Sequence, residues 1–118
     1  ATMHDCVFCR IVAGTIPCAK LYEDERVLAF LDIAPVNPGH SLIIPKQHLA
    51  SLNDVDASHQ AILGKIFAKA GELARAQGLT DGFRTIVNTG RIGRQEVYHL
   101  HVHILGGPEP LGSMLPKH

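Results

Sequence analysis

Three histidines near the end of the chain alternate with apolar residues, in the order His99, Leu100, His101, Val102, His103. Successive side chains of a β-strand point to opposite faces, so this alternation predicts imidazoles on one face and apolar side chains on the other. Imidazole titrates near neutral pH and can transfer protons, attack an electrophile or bind a metal. The motif therefore predicts a strand that carries catalysis or metal binding.

Two of the three cysteines, Cys6 and Cys9, have the spacing of half a zinc site. A thioredoxin-like redox pair is a rival interpretation, although no strand is predicted before the motif. A third interpretation is a pair of buried thiols, because cysteine often serves as a small apolar residue. Cys18 is assigned to that class. The odd number of cysteines argues against a disulfide scaffold.

The composition is that of one globular domain over residues 1–118, with 46% hydrophobic residues and a formal charge of zero. Such a balance lacks the basic excess that bulk nucleic-acid binding requires. No apolar run approaches the roughly 20 residues of a membrane helix, and no signal-like segment opens the chain. We therefore expect a cytoplasmic protein with no nucleic-acid or membrane partner.

The positions of apolar residues, glycines and prolines predict the elements that must hold these motifs. A short helix is predicted over 6–13 and ends at Gly14. A long helix is predicted over 57–77, with Asp54 or Asp56 as its N-terminal cap and Gly78 at its end. The predicted strands are 20–22, 27–31, 41–45, 83–88 and 98–105. Strands joined mostly by short turns, with one long helix, favour an antiparallel α+β domain.

Segment 99–105, His-Leu-His-Val-His-Ile-Leu, resembles the signature of the histidine triad (HIT) family. Similarity to the nucleotide-binding phosphoramidase branch of that family runs along nearly the whole chain, through Asn88 and segments 29–35, 39–46, 95–99 and 105–115. The resemblance implies a HIT-like fold: a five-stranded antiparallel sheet with one long helix and a short N-terminal helix. It also implies a homodimer with joined sheets and hydrolysis of purine nucleoside phosphoramidates such as adenosine 5′-monophosphoramidate.

The catalytic residues implied by the resemblance are His101, His103, His40 and His99. His101 is the expected nucleophile, which forms a covalent nucleotidyl-histidine and splits one hard step into two. A backbone carbonyl next to the triad is expected to fix its ring. His103 is expected to hydrogen-bond the phosphoryl oxygens with support from His40. Without the resemblance, His40 would be interpreted as a solvated loop histidine.

The resemblance also implies a nucleotide site. Asp32 matches the carboxylate that binds both ribose hydroxyls, and Asn88 is expected to hold the phosphate. The base is expected to lie among four apolar side chains, Phe8, Phe30, Ile33 and Leu42. The backbone of Arg94, Gln95 and Glu96 is expected to contact the phosphate, with Gly90 and Gly93 allowing close approach. Taken alone, the two phenylalanines are more simply core residues.

Two positions depart from the family pattern. Arg94 stands where the family usually has a small residue, commonly glycine, and either adds a cation near the phosphate, crowds the loop or faces solvent. Leu31 replaces a polar residue that some relatives have beside the ribose, which would relax the preference for purines. Neither departure involves the nucleophile.

The resemblance implies that His48 and His99 complete a structural zinc site with Cys6 and Cys9. A Cys₂His₂ set leaves no open coordination position, so no catalytic metal is expected there. The tail over 108–118 is predicted to be extended, because prolines and glycines prevent regular structure. In the phosphoramidase branch this segment borders the leaving-group side of the pocket.

Three other functions stay open at the level of sequence. A dinucleoside polyphosphate hydrolase would use the same nucleophile with another leaving group. A nucleotide-binding regulatory module would bind the same ligand with weak turnover. A metal-binding protein that uses all three triad histidines is disfavoured, since it would leave Asp32 and the loop over 88–96 without a purpose.

Overall fold

The computed structural model describes residues 6–32, 40–107 and 109–112. Its helices are α1 (Val7–Ala13) and α2 (Gln60–Ala76), and its strands are β1 (Lys20–Glu23), β2 (Val27–Leu31), β3 (Ser41–Pro45), β4 (Arg84–Ile86) and β5 (Val102–Leu105). The five strands form one sheet in the order β1-β2-β3-β5-β4, and every neighbouring pair is antiparallel. The prediction of an antiparallel α+β domain is confirmed.

Each face of the sheet is covered by one helix. Helix α2 presents the apolar stripe Ile62, Ile66, Ala70, Leu73 and Ala74 to one face, where Leu100, Val102 and Ile104 lie. Helix α1 covers the other face through Phe8, Cys9 and Ile11, which pack against Leu28, Phe30, Leu42 and Ile44. The alternation in β2, β3 and the triad segment therefore supplies two separate cores.

Helix α1 begins and ends where the sequence predicts. The Cys6 sulfur accepts a hydrogen bond from the amide of Cys9 at 3.3 Å and caps the first turn. Gly14 ends the helix with a φ of 84°, a left-handed conformation that glycine adopts without strain. The cap brings the two cysteines to the same end of the helix, next to the sheet.

The predicted long helix begins at Ala57 with Asp56 as its cap, but its first turn is 3₁₀ rather than α. Residues Ala57–His59 form a 3₁₀ turn, and α2 proper begins at Gln60. Asp56 accepts from the amide of Ser58, while Nδ1 of His59 accepts from the amide of Asp56. This reciprocal cap tightens the first turn. Asp54 instead ends a separate 3₁₀ turn and accepts from the Ser51 hydroxyl.

Strands β2 and β3 have their predicted bounds, whereas the last strand is shorter than predicted. Strand β5 spans Val102–Leu105 rather than 98–105, because β3 pairs with it only through Ser41–Ile43. Before Val102 the chain is held differently, with the amide of Leu100 bonded to the carbonyl of Leu49 at 2.6 Å. Strand β4 is likewise shortened from 83–88 to Arg84–Ile86, while β1 gains Glu23.

Within the described residues, no helix combines the length and apolar character needed to cross a membrane. Residues 109–112 form neither helix nor strand, as predicted for the tail. Arg84 Nη2 donates to the carbonyl of Gly112 at 2.6 Å and holds this segment beside β4. Residues 108 and 113–118 of the predicted tail, and Ile33 of the predicted base wall, lie outside the described residues.

Candidate active site and metal centre

A cavity of about 500 Å³ lies between α1, the sheet and the loop over 88–97. Its wall is apolar on the side of α1 and polar at the end of the triad. It is lined by Val7, Phe8, Ile11, Phe30, Asp32, Leu42, Asn88, Gly93, Arg94, Glu96, Val97, His101 and His103. An apolar chamber with a few convergent polar groups is the usual form of a small-molecule site.

His101 lies on the cavity wall with one ring nitrogen already engaged. Its Nδ1 is 2.7 Å from the carbonyl oxygen of His99, so Nδ1 carries the proton and donates to that oxygen. Burial lowers the pKa of His101, which keeps the imidazole neutral near pH 7. Nε2 therefore has an unshared electron pair, as a nucleophile needs.

The ring of Phe8 packs against the imidazole of His101. Its centroid is 5.1 Å from that of His101 in an edge-to-face contact, and 5.7 Å from that of Phe30. Such aromatic contacts restrict ring rotation. Helix α1 thus positions the triad as well as the apolar wall.

His40 lies beside both His103 and Asp32, next to the nucleophile. His40 Nε2 is hydrogen-bonded to His103 Nδ1 at 3.0 Å and lies 3.4 Å from Asp32 Oδ2. We assign the shared proton to His40 Nε2, which donates it to His103 Nδ1, so that His103 carries its own proton on Nε2. Burial lowers the pKa of His103 to about 4, with further lowering by the neighbouring histidines. His103 is therefore a neutral donor near pH 7.

The loop over 88–97 is held by a buried side chain. Gln95 accepts from the amide of Gly90 and donates to the carbonyls of Ala50 and Val97, at 2.7–3.0 Å. It does not line the cavity, whereas Arg94 and Glu96 on either side of it do. The Gln95 side chain therefore positions the loop.

The loop contains a strained residue. Arg94 has a φ of 61°, and no other described residue except glycine has a positive φ. This conformation favours glycine, which is what the family usually has at this position. Gly93 beside it packs tightly, since an added Cβ would lie 2.5 Å from the carbonyl oxygen of Thr89.

The other cluster joins Cys6, Cys9, His48 and His99, whose ligand atoms all lie within 4.8 Å of one another. Cys6 Sγ and Cys9 Sγ are 3.3 and 3.5 Å from His99 Nδ1, and Cys9 Sγ is 3.1 Å from His48 Nδ1. Sulfur and nitrogen ligands of one tetrahedral zinc stand roughly 3.5 Å apart, from bond lengths of about 2.3 and 2.0 Å. The donor spacing fits zinc.

The protonation of His99 also fits a metal. Its Nε2 lies 2.8 Å from the carbonyl oxygen of Pro45 and donates to it, so Nδ1 faces the sulfurs with a free electron pair. Burial lowers the pKa of His99 to about 4 and raises that of the Cys9 thiol to about 11, with a contribution from Cys6. Zinc at this position would be held by two thiolates and two neutral imidazoles.

The donor atoms of Asp32, His40 and His103 also lie within 4.8 Å of one another. The two imidazoles already share a hydrogen bond, and this group lies at the cavity. It offers three donors with no thiol, in contrast to the cysteine cluster. We assign it to the hydrogen-bonded histidine pair and the adjacent carboxylate described above.

The structure brings the sequence-predicted residues to two neighbouring places. Most of the expected nucleotide-site residues line the cavity, and the four expected zinc ligands form the adjacent cluster. His40 does not line the cavity but is hydrogen-bonded to His103, which does. Gln95 does not line it either, and its side chain holds the loop over 88–97. Sequence reasoning missed three apolar lining residues, Val7, Ile11 and Val97. The spacing of Val7 and Ile11 on one helix face was the available signal.

Comparison with known proteins agrees with this geometry. The HIT domain family model matches residues 13–109. The chain is 46% identical over 113 residues to the purine nucleoside phosphoramidase of Escherichia coli, covering 95% of this chain and 94% of that protein. It is 44% identical over 105 residues to the 14 kDa zinc-binding protein of Brassica juncea, covering 87% and 93%.

A solved structure gives the same fold. The HIT family hydrolase from Clostridium thermocellum superposes with a TM-score of 0.90 at 42% identity, over 97% of this chain and 100% of that one. The five-stranded sheet with one long and one short helix is thus the HIT fold. The chain belongs to the histidine triad (HIT) domain family, and these matches support its assignment as a hydrolase.

Proposed function

We propose that the protein hydrolyses purine nucleoside phosphoramidates of the adenosine 5′-monophosphoramidate type through a nucleotidyl-histidine intermediate. The observation that carries the proposal is the bond from His101 Nδ1 to the His99 carbonyl at 2.7 Å, on the wall of a cavity of about 500 Å³. It presents a neutral, oriented imidazole to a chamber that can hold a nucleotide. The phosphoramidase relative supports this substrate class.

The first step is the attack of His101 Nε2 on phosphorus. A nitrogen–phosphorus bond forms to the imidazole, the phosphorus–nitrogen bond to the leaving group breaks, and the amine takes a proton from solvent water as it departs. The carbonyl oxygen of His99 accepts a hydrogen bond from His101 Nδ1 throughout, which stabilises the positive charge that develops on the His101 ring. Water then attacks phosphorus, which releases the nucleotide and restores His101.

The remaining polar groups bind the substrate. His103 donates from Nε2 to a phosphoryl oxygen, because His40 occupies its Nδ1. Asp32 accepts from the ribose hydroxyls, and Asn88 with the amide of Glu96 binds the phosphate, because the amides of Arg94 and Gln95 already donate to the carbonyls of Arg91 and Gly90. The adenine base lies against Phe8, Phe30 and Leu42, the apolar part of the lining. These histidines and amides supply the charge stabilisation, so we propose chemistry that needs no divalent metal.

The cysteine–histidine cluster is proposed to hold structural zinc. Its support is the donor spacing, the orientation of His99 by Pro45, and the zinc-binding relative from Brassica juncea. The ion would tie the start of α1 to the triad segment, since Cys6 and Cys9 come from one and His99 from the other. It would supply folding energy and no reaction step.

A homodimer with joined sheets is also proposed, and it rests on the resemblance and on exposed apolar surface. Phe67 on α2 is 49% exposed, and Gly64 one turn earlier leaves open space beside it. We expect a particle of twice the chain mass in analytical ultracentrifugation. Phe67→Asp should shift that equilibrium to monomer, and a monomeric wild-type protein would contradict the proposal.

The reaction is tested with two substrates and one variant. We expect hydrolysis of adenosine 5′-monophosphoramidate to exceed that of diadenosine tetraphosphate in kcat/KM. His101→Ala should lower kcat by at least ~10³-fold while AMP still binds, because the imidazole acts in the transition state. Quenched mixtures should contain AMP attached to the wild-type protein only.

Other outcomes would favour the alternatives. Preferential cleavage of diadenosine tetraphosphate would indicate a dinucleoside polyphosphate hydrolase. AMP binding with negligible turnover of either substrate would indicate a regulatory module. Near wild-type turnover by His101→Ala would remove His101 from the role of nucleophile.

A further inference from the structure

Arg94 combines backbone strain with a position on the cavity wall. Its φ of 61° is unfavourable for a residue with a Cβ, and glycine would adopt it freely. Strained residues persist where the surrounding structure holds them, and they cluster at functional sites. The side chain is therefore a candidate for a role that glycine cannot fill.

Arg94 is also the cation among the charged residues of the cavity. The described lining contains two carboxylates, Asp32 and Glu96, and no lysine or second arginine. In the part of the chain that the structure describes, the Arg94 side chain takes part in none of the ion pairs. Its charge is available to a ligand.

The arrangement of the lining assigns Arg94 to one end of a bound substrate. The apolar wall and Asp32 take the nucleoside, and the triad takes the phosphate. What extends beyond phosphorus would then meet the charged lining residues that the nucleoside and phosphate do not occupy, Arg94 and Glu96. With glycine in its place, the carboxylate of Glu96 would favour a cationic leaving group. The guanidinium offsets that preference.

We propose that Arg94 forms an anion-binding subsite for the leaving group, so that substrates whose leaving amine carries a carboxylate or phosphate are preferred. The proposal rests on the phosphoramidase function and deepens it. A guanidinium binds either anion through paired N–H donors. At this exposed position we expect a discrimination of about three- to fivefold, near the upper end of what exposed ion pairs contribute.

The test compares two adenosine phosphoramidates, one with alanine as the leaving amine and one with alanine amide. The quantity measured is the ratio of their kcat/KM values in wild type, Arg94→Gln, Arg94→Lys and Arg91→Gln. Differences in intrinsic leaving ability cancel when this ratio is compared between proteins. Arg91 is an exposed arginine of the same loop outside the cavity lining, which makes it the matched control.

We expect Arg94→Gln to reduce the ratio about three- to fivefold, with partial recovery in Arg94→Lys and no change in Arg91→Gln. Raising the salt concentration should reduce the wild-type ratio toward that of Arg94→Gln. An Arg94→Gln ratio within about twofold of wild type, or an equal loss in Arg91→Gln, would overturn the proposal.

A binding measurement separates failure of the subsite from failure of the proposed reaction. ADP places a second phosphate where the leaving group would lie, so its affinity relative to AMP reports on Arg94 without turnover. Calorimetry should show that Arg94→Gln lowers this relative affinity by a factor similar to that in kinetics. Equal weakening of ADP and AMP would refute the subsite even if no phosphoramidate is hydrolysed.

Discussion

Two adjacent positions of the cavity loop both favour glycine, but only one of them has it. Arg94 occupies a conformation that suits glycine, while Gly93 occupies a place where only glycine fits. The family resemblance identifies the position of Arg94 as unusual, but only the dihedral angle explains why a small residue is common there. These two positions allow the loop to be tested one residue at a time.

Arg94→Gly should raise the free energy of unfolding by up to about 1 kcal/mol, because it removes the left-handed strain. Arg91→Gly is the matched control, since it removes the same charge from the same loop at a residue without positive φ. The control should lower stability by about 0.5–1 kcal/mol. Urea denaturation of both variants measures this, and a loss of stability in Arg94→Gly would contradict the strain.

Gly93→Ala should weaken AMP binding by about tenfold or more, because the loop must open to admit the methyl group. The new Cβ would lie 2.5 Å from the Thr89 carbonyl oxygen and 2.7 Å from its amide nitrogen. Gly107→Ala, where no atom lies within 4 Å of the added Cβ and φ is not positive, is the control and should bind AMP normally. Unchanged AMP affinity in Gly93→Ala, measured by calorimetry, would show that the loop does not bind the phosphate.

At the scale of elements, the turn between β1 and β2 is tied to α2 through Asp24. Its carboxylate accepts from the amides of Arg26 and Val27 and from the Tyr22 hydroxyl, and it lies 2.6 Å from Lys65 Nζ. Burial opposes ionisation, but these donors outweigh it and hold the pKa of the carboxyl well below its usual value. One side chain thus joins the edge of the sheet to the long helix.

Asp24→Asn should lower the free energy of unfolding by about 1–2 kcal/mol at pH 7, through weaker hydrogen bonds and the lost ion pair. Because the pKa is lowered in the folded state, the unfolded chain binds the proton first as pH falls. The difference between wild type and variant should therefore shrink below about pH 4, the usual pKa of Asp. Glu25→Gln in the same turn is the control, and an equal effect there would contradict the role of Asp24.

The elements predicted best from sequence are those whose pattern is decided by burial. Strands β2 and β3 have their predicted bounds because apolar runs of five residues lie between clear turn signals. The end of β5 depends on where β3 stops pairing with it, which no local pattern contains. The alternation of the triad nevertheless holds beyond the strand, with Leu100 in the α2 core and the histidines on the α1 face.

The candidate site was predictable to the extent that its residues belong to motifs. The triad and the cysteine pair were visible as patterns, and the resemblance supplied Asp32 and His48. The spacing of Val7 and Ile11 places them on one face of α1, but an apolar side chain has the same pattern at a cavity as in a core, and Val97 had no pattern of its own. The strain at Arg94 was invisible, since sequence does not report φ.

At the scale of the whole molecule, the proposed zinc centre joins the first helix to the catalytic segment. We expect one zinc per chain by elemental analysis of protein purified without chelator. Metal-free protein should melt at least about 5 °C lower, because the binding energy of the ion adds to folding. Cys9→Ser should lose the metal and Cys18→Ser should keep it. Stoichiometric zinc in Cys9→Ser would exclude this site.

The tail is the other long-range feature. A second cavity, of about 360 Å³, is lined by residues of 81–84, 106–107 and 109–111. Removing residues 111–118 would take away one of its lining residues, Leu111, and the hydrogen bond from Arg84 to the Gly112 carbonyl. We expect a changed ranking of leaving amines and little change in AMP affinity, since the nucleotide is held elsewhere. Amine-varied phosphoramidates and AMP titration measure the two effects. Lost AMP binding with an unchanged ranking would assign the tail to folding or dimerisation.

His99 serves both centres at once: its Nδ1 faces the cysteine sulfurs while its carbonyl oxygen holds the Nδ1 proton of His101. Because a displacement of His99 would change both contacts, we expect zinc binding at the proposed metal centre and nucleotide binding in the cavity to be thermodynamically linked. Such linkage is reciprocal: if zinc raises the affinity for nucleotide, nucleotide raises the affinity for zinc by the same factor. Metal supply would then set the fraction of chains competent for turnover, and substrate would protect the metal from competing chelators.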